Sequence, residues 1–350
     1  MADDATPAPA TGNTAGAEHG GLFGARFGGR FGGRFGGRFG GMSNRMKAIA
    51  LMCAAVTFFS CLDAMAKYIA AHSNMGTAQI VWLRFLGQML LMAALLGPTA
   101  IPSLLKTEKP ALQALRSLTL LGTTAFNFLA VQYLRLDQTI SIAFLAPLAV
   151  AALAGPILGE WVGWRRALAI VAGFFGVLIV VRPGFADVHW AFGASFLSML
   201  CYATFMLATR KLSTYDQPLT TLFLGLLAGA AACAPIALSQ WVWPQDWQQW
   251  LMLLSLGAIG GFGHYLMIFA YRHAPASSVS PFLYFQLLSM VGLGYLIFGD
   301  VPDTWTLLGS SVVIASGMYL VHRERVTSRL SSRAERRAES GAATRDPTAC

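Results

Sequence analysis

Ten stretches of mostly apolar residues divide this chain, and each is close to the roughly 20 residues that cross a hydrocarbon core of about 30 Å. They fall near 48–70, 78–97, 112–132, 138–158, 165–181, 190–210, 219–238, 249–271, 276–298 and 304–322. Lipid offers no water to an open backbone, so each run is expected to be a helix. The joints carry breakers: Gly97-Pro98, Arg182-Pro183-Gly184, Pro218, Pro244 and Pro302. Composition agrees. The chain is 55% hydrophobic and 12% charged, where soluble domains carry roughly 25% charged residues. A pair of soluble domains is thereby excluded.

The net charge of +9 is concentrated at the ends: residues 1–47 and 323–350 supply +6 of it. With the N-terminus inside, twelve Lys and Arg near span ends face the cytoplasm, from Arg45 and Lys47 to Arg323 and Arg325. Three (Lys67, Arg135, Arg182) face outward. This bias sets the orientation and puts both termini in the cytoplasm. No cleavable signal peptide is expected, because the first apolar run follows a long polar tail. Four of the five cysteines lie inside apolar runs, without a CxxC pair, and read as packing residues.

The sequence repeats with a shift of 140 residues. Residues 130–160 and 270–300 both run from Ala through a polar turn into an apolar span and close on Gly-acid, Gly159-Glu160 and Gly299-Asp300. The next spans end alike, GVLIVVR at 176–182 and GMYLVHR at 317–323. Five spans per repeat is an odd number, so the second copy enters from the opposite side. The expected fold is therefore an all-α integral membrane protein. Its ten transmembrane helices form two five-helix inverted-topology repeats, an architecture of secondary transporters. The expected division is a Gly/Arg/Phe-rich tail over 1–45, repeats over 46–184 and 185–323, and a basic tail over 324–350.

Four segments carry a family resemblance: LDAMAKYI at 62–69, IVWLRF at 80–85, PLAVAALAGPILGE at 147–160 and GFFGVLIVVRPG at 173–184. On these the chain resembles the drug/metabolite transporter superfamily, specifically its EamA-type ten-helix members with two EamA domains. The resemblance covers about 46–323. It implies a carrier of small organic solutes and poorly specifies which. The second copy departs from the pattern, with Asp300 where glutamate is commoner and Leu287 where the first copy has Pro147.

Charges inside spans are costly and mark functional candidates. Asp63 and Lys67 sit at i and i+4 on one helix face, and Arg84 lies within the second span. A contact of Asp63 with Arg84 or Lys67 is expected, as a clamp, as part of a cavity or gate, or with Asp63 as a proton-coupling carboxylate. Asn127, Gln132, His264, Tyr265, Tyr284 and Gln286 add amides and aromatics suited to a flat polar solute, or to interhelical hydrogen bonds alone. Ser198 and Tyr202 belong to the same set. Glu160 and Asp300 end their spans as solvated acids or, as the resemblance suggests, as polar locks. Pro147 and Pro156 weaken the fourth span locally, and glycines at 173, 176, 257, 260, 261 and 263 allow close helix approach. Trp241, Trp243, Trp247 and Trp250 read as an interfacial belt.

No HExxH and no GxxxxGK[ST] occurs, so the residues point away from an enzyme and from ATP as the energy source. A channel would favour rings of identical groups. The reading is a secondary transporter in the bacterial inner membrane, working by alternating access, with no cofactor and no metal. Uptake of riboflavin or a related metabolite is one expectation, export of amino acids, amines or metallophores another, and a non-transporting scaffold or receptor the rival class. Expected partners are a small organic solute and the lipid bilayer, with a homodimer left open. Nucleic acid is not expected, although GARFGGRFGGRFGGRFGG at 24–41 has arginine and phenylalanine in alternation. Beside a first span such a segment suits anionic headgroups better than RNA. Met42 and Met46 are alternative starts, and residues 1–41 are expected to be dispensable for transport, whether as a tail or as an upstream misread.

Overall fold

A computed structural model describes residues 44–97, 101–158, 164–182, 189–273, 280–319 and 322. The glycine-arginine ladder, the C-terminal tail and Glu160 lie outside these residues. All regular structure among them is helical. The elements are α1 Asn44–His72, α2 Thr77–Leu96, α3 Ile101–Leu104, α4 Pro110–Tyr133, α5 Leu136–Ala143, α6 Ala146–Leu158, α7 Trp164–Val181, α8 Ala191–Leu212, α9 Pro218–Ser239 and α10 Trp247–His273. A 3₁₀ turn over Ser280–Tyr284 leads into α11, Phe285–Phe298, and residues 304–319 form α12. Prolines open α4 and α9 in their first turn, where no backbone donor is lost.

Among the described residues, seven helical stretches are long and apolar enough to cross a membrane: Met46–His72, Thr77–Leu96, Pro110–Tyr133, Leu136–Leu153, Ala191–Leu212, Pro218–Ser239 and Trp247–Tyr271. Ala167–Val181 and Phe282–Phe298 are apolar but shorter. Arg165 and Arg166 fall in the first turn of α7, which confines its apolar stretch. The expected span 138–158 is not one continuous helix. It breaks at Phe144-Leu145, because Pro147 has no N–H to offer the carbonyl of Ala143. The chain tightens instead: Leu145 N donates to Ile142 O at 3.0 Å, and Ala149 N to Leu145 O at 2.8 Å.

Contacts between helices α1–α7 and helices α8–α12 come in related pairs. α1 packs on α10, and α4 on α8. α1 packs on α11, and α6 on α8. α2 packs on α10, and α4 on α9. The pairs α2–α9 and α5–α11 map onto themselves. Exchanging the two halves therefore reproduces the packing. Directions follow from side-chain contacts. Phe58 meets Phe262 and Met65 meets Ser255, so α1 and α10 are antiparallel. Thr57 meets Ser289 and Lys67 meets Asp300, so α1 and α11 run the same way.

Four buried apolar clusters form among the described residues, and the two largest matter here. One gathers Leu62, Phe85, Phe128, Leu226, Leu253 and Leu256. The other gathers Ala64, Leu136, Ile142, Leu148, Met290 and Val313. Asp63 stands between Leu62 of the first and Ala64 of the second, so the costly carboxylate lies where the two cores meet.

Candidate solute site

The site is built on the approach of α10 to α2. A Cβ at Gly257 would overlap the backbone of Gly87 and Gln88, so only glycine lets the two helices come this close. The contact crosses the two halves. It places Arg84 and Gln88, one turn apart on α2, against α10. Arg84 is 7% exposed. Its Nη1 donates to Thr124 Oγ1 of α4 at 2.7 Å, and the guanidinium lies over the rings of Phe85 and Phe128, 5.4 and 5.6 Å from their centroids. Its Nε is buried with no hydrogen-bond partner.

Asp63 is 8% exposed, and its Oδ1 accepts from Asn127 Nδ2 at 2.8 Å. Asp63 and Arg84 attract one another electrostatically without a direct ion pair. His264 of α10 packs edge-on against Phe59, with ring centroids 4.9 Å apart, within the field of both Arg84 and Arg116. Tyr202 on α8 is 39% exposed and stacks on Phe205. The Oγ of Ser198, one turn earlier, donates to Thr123 O at 2.8 Å and ties α8 to α4.

Arg116 is the main residue the sequence left out of the set, having been counted among the cytoplasmic flanking cations. It is 5% exposed. Nε donates to Thr209 Oγ1 at 3.1 Å and Nη1 to Thr221 O at 2.6 Å, and Phe205 faces the guanidinium at 4.7 Å. Among the described residues no carboxylate forms an ion pair with it. Its place inside the apolar run 112–132 was the available signal. Gln88 and Thr124 carried none, since amides and hydroxyls are unremarkable in spans.

Other expected residues lie elsewhere. Lys67 turns away from Asp63: its Nζ donates to Leu134 O at 2.9 Å and pairs with Asp300 Oδ2 at 3.3 Å. Gln132 Nε2 donates to Thr77 Oγ1 at 2.8 Å, near the ends of α4 and α2. Tyr265 stacks in a row with Phe262 and Phe269. Tyr284 packs on Phe144, its hydroxyl buried without a partner, and Gln286 is half-buried on α11. The tryptophans do cluster: Trp241 meets Trp82, Trp243 and Trp250. An apolar groove of about 520 Å³ between α7 and α12, lined by Trp164, Leu168, Ala172, Val312 and Tyr319 among others, contains none of the polar centre.

The structure thus brings together Asp63, Arg84, Asn127 and His264, with Gln88 and Thr124 beside them and Arg116 within electrostatic reach. Such a set holds opposite charges a short distance apart, inside a bundle, on helices drawn from both halves. It can bind a polar solute, and it offers no nucleophile paired with a base.

Known proteins bear on this geometry. A sequence model described as the EamA-like transporter family matches residues 46–182 and again 189–322. The chain is similar to the S-adenosylmethionine uptake transporter of Rickettsia prowazekii (strain Madrid E), 24% identical over 267 residues, 75% of this chain and 88% of that protein. It is similar to the riboflavin transporter of Vibrio cholerae serotype O1, 26% identical over 283 residues, 79% and 94% of the two. It is also similar to the pseudopaline exporter CntI of Pseudomonas aeruginosa (strain UCBPP-PA14), 23% identical over 273 residues, 77% and 95%. A protein of known crystal structure shares the fold, with a TM-score of 0.52 and 17% identity over 78% of this chain and 96% of that one.

Proposed function

The chain belongs to the EamA-like transporter family, and we infer that it is a secondary carrier that moves a small organic metabolite by alternating access. It is a multi-pass membrane transporter, not an enzyme. The observation that carries the mechanism is the place of the polar centre: Asp63, Arg84 and Asn127 come from the first half, His264 from the second, and the close approach at Gly257 joins them. Two halves that pack by exchange can tilt against each other and turn one central site to either side.

The remaining assignments rest on that reading. The chain crosses the bacterial inner membrane ten times, with both termini in the cytoplasm. Residues 46–184 and 185–323 form the two repeats, between tails over 1–45 and 324–350. Lys67, Arg135 and Arg182, the three cations assigned outside, each pair with a carboxylate, Asp300, Asp137 and Asp303, whereas the assigned cytoplasmic face holds the cationic excess. A cysteine at Asp303 labels with an impermeant maleimide from outside, and one at Lys106 does not. The reverse pattern overturns the orientation.

The relatives named above carry S-adenosylmethionine, riboflavin and pseudopaline, in two directions of transport and at similar identities. The solute is accordingly a polar organic metabolite, and riboflavin and S-adenosylmethionine are the first probes. Purified protein in liposomes is loaded with unlabelled solute and assayed for counterflow of labelled solute, with and without a protonophore. Saturable exchange is expected. Binding without exchange of any bound solute would instead favour a receptor or scaffold.

A further inference from the structure

The charges of the polar centre do not balance. Among the described residues, Arg84 and Arg116 are both buried within the bundle, against one buried carboxylate there, Asp63. The other buried acids among the described residues are engaged at the ends. Asp137 pairs with Arg135. Asp216 accepts from Thr107 Oγ1 and from the Glu108 backbone N–H. One positive charge is left over in a medium where an uncompensated charge is costly.

The surplus has a direction. Arg84 has its Nη1 on Thr124, its faces against Phe85 and Phe128, and a buried Nε with no acceptor. Gly260 of α10 faces that Nε. A Cβ built there would stand 3.8 Å from Arg84 Nε and 3.6 Å from Gln88 Oε1. Leu62 Cδ2 would lie 3.6 Å from the same Cβ, so the seam between the halves is closed around the unused guanidinium donor in this conformation, with only the width of a methyl left by glycine. Arg116 is held by a hydroxyl and a backbone carbonyl. It lies two turns from Thr124 along α4, about 12 Å, too far to share a small anion with Arg84, and it raises the local potential instead.

We propose that the transported solute carries an oxyanion, a carboxylate or a phosphate monoester, and that Arg84 receives it at the Gly260 seam when α10 moves away from α2. The proposal rests on the carrier reading and names the solute class for that same site. Guanidinium presents paired N–H donors in a plane that matches such groups. Asp63 stays on Asn127 and keeps the Arg84 side chain within its field. The seam position makes the donor available when α10 tilts away from α2 and shields it when they close.

The test uses the full chain, purified, with thermal-shift binding and proteoliposome counterflow read in parallel. Probes come in pairs that differ only in the anionic group: S-adenosylmethionine and its decarboxylated form, riboflavin 5′-phosphate and riboflavin, and amino acids and their amides. The expected result is at least tenfold tighter binding of the anionic member of the pair that binds best. Arg84→Gln removes that preference, the anionic member losing more than the neutral one, and Arg84→Lys restores part of it. Where Arg84→Gln fails to reach the membrane, Gly260→Ala serves, since its Cβ meets only ordinary contacts and narrows the seam beside Arg84 Nε. It is expected to weaken the anionic member selectively. Equal binding within every pair, equal loss of both members in the variants, or binding of no anionic probe overturns the proposal. Counterflow of neutral solutes alone overturns it and leaves the carrier reading standing. Selective anion binding without counterflow of any bound probe supports it and removes the carrier.

Discussion

Asp63 is a carboxylate that the bundle keeps at a cost, and its neighbours show how. Asn127 donates to it and Arg84 supplies the opposing field. Replacing Asp63 with Asn leaves the two arginines without a buried counter-charge. Asp63→Asn is expected to lower transport at least tenfold at unchanged membrane abundance, read by counterflow beside immunoblotting. Parental transport in this variant would remove Asp63 from the site. Asn127→Ala should cost only about 1 kcal/mol in detergent melting, in the range of polar contacts between membrane helices. At this scale the sequence was partly legible. Asp63 and Arg84 stood out because charge within an apolar run is expensive. The partner of Lys67 did not, because helical spacing pointed to Asp63 whereas the chain brings Asp300 from 233 residues away. Arg116 was hidden by standing near the start of its run, where a cation reads as a flank.

At the level of helices the decisive contact is α2 against α10. Gly257→Val forces a branched side chain into the backbone of Gly87 and Gln88 and should destabilise the protein by about 1–3 kcal/mol, the usual cost of overpacking, or keep it from the membrane. Gly292→Val is the control: a Cβ there meets nothing within 4 Å, and the melting temperature should hold. Equal effects of the two would show that the close approach does not matter. Most helices were legible from the length of apolar runs. The interruption after Ala143 was announced by Pro147 as a local weakness, but its form, two helices joined at Phe144-Leu145, depends on neighbours that hold the turn. Leu145 and Phe144 are both buried in the second core, and Ser141 of α5 bonds to Ser310 of α12 at 2.6 Å. Such tertiary ties leave no periodic trace in a sequence.

Across the whole molecule, polar contacts join the halves at both ends. Lys67–Asp300 and Arg182–Asp303 join them at one end, and Thr107 with Asp216 at the other. Alternating access requires one set to part while the other holds. Neutralising the first set with Lys67→Gln and Arg182→Gln should therefore bias the protein toward opening at that end, seen as faster maleimide labelling of a cysteine at Gln132. Unchanged labelling would make these pairs surface decoration, which is common for exposed ion pairs. The exchange of halves was visible in the 140-residue repeat, because repeated joints survive as repeated residues. Which ties close each end was not, since they form between segments far apart in the chain. The most direct test of alternating access is the accessibility of the centre from both sides. In a transport-competent variant lacking native cysteines, His264→Cys should react with a small charged methanethiosulfonate reagent in right-side-out vesicles and also in inside-out vesicles, with bound solute slowing both reactions. Reaction from one side only, in vesicles that still transport, would contradict the account.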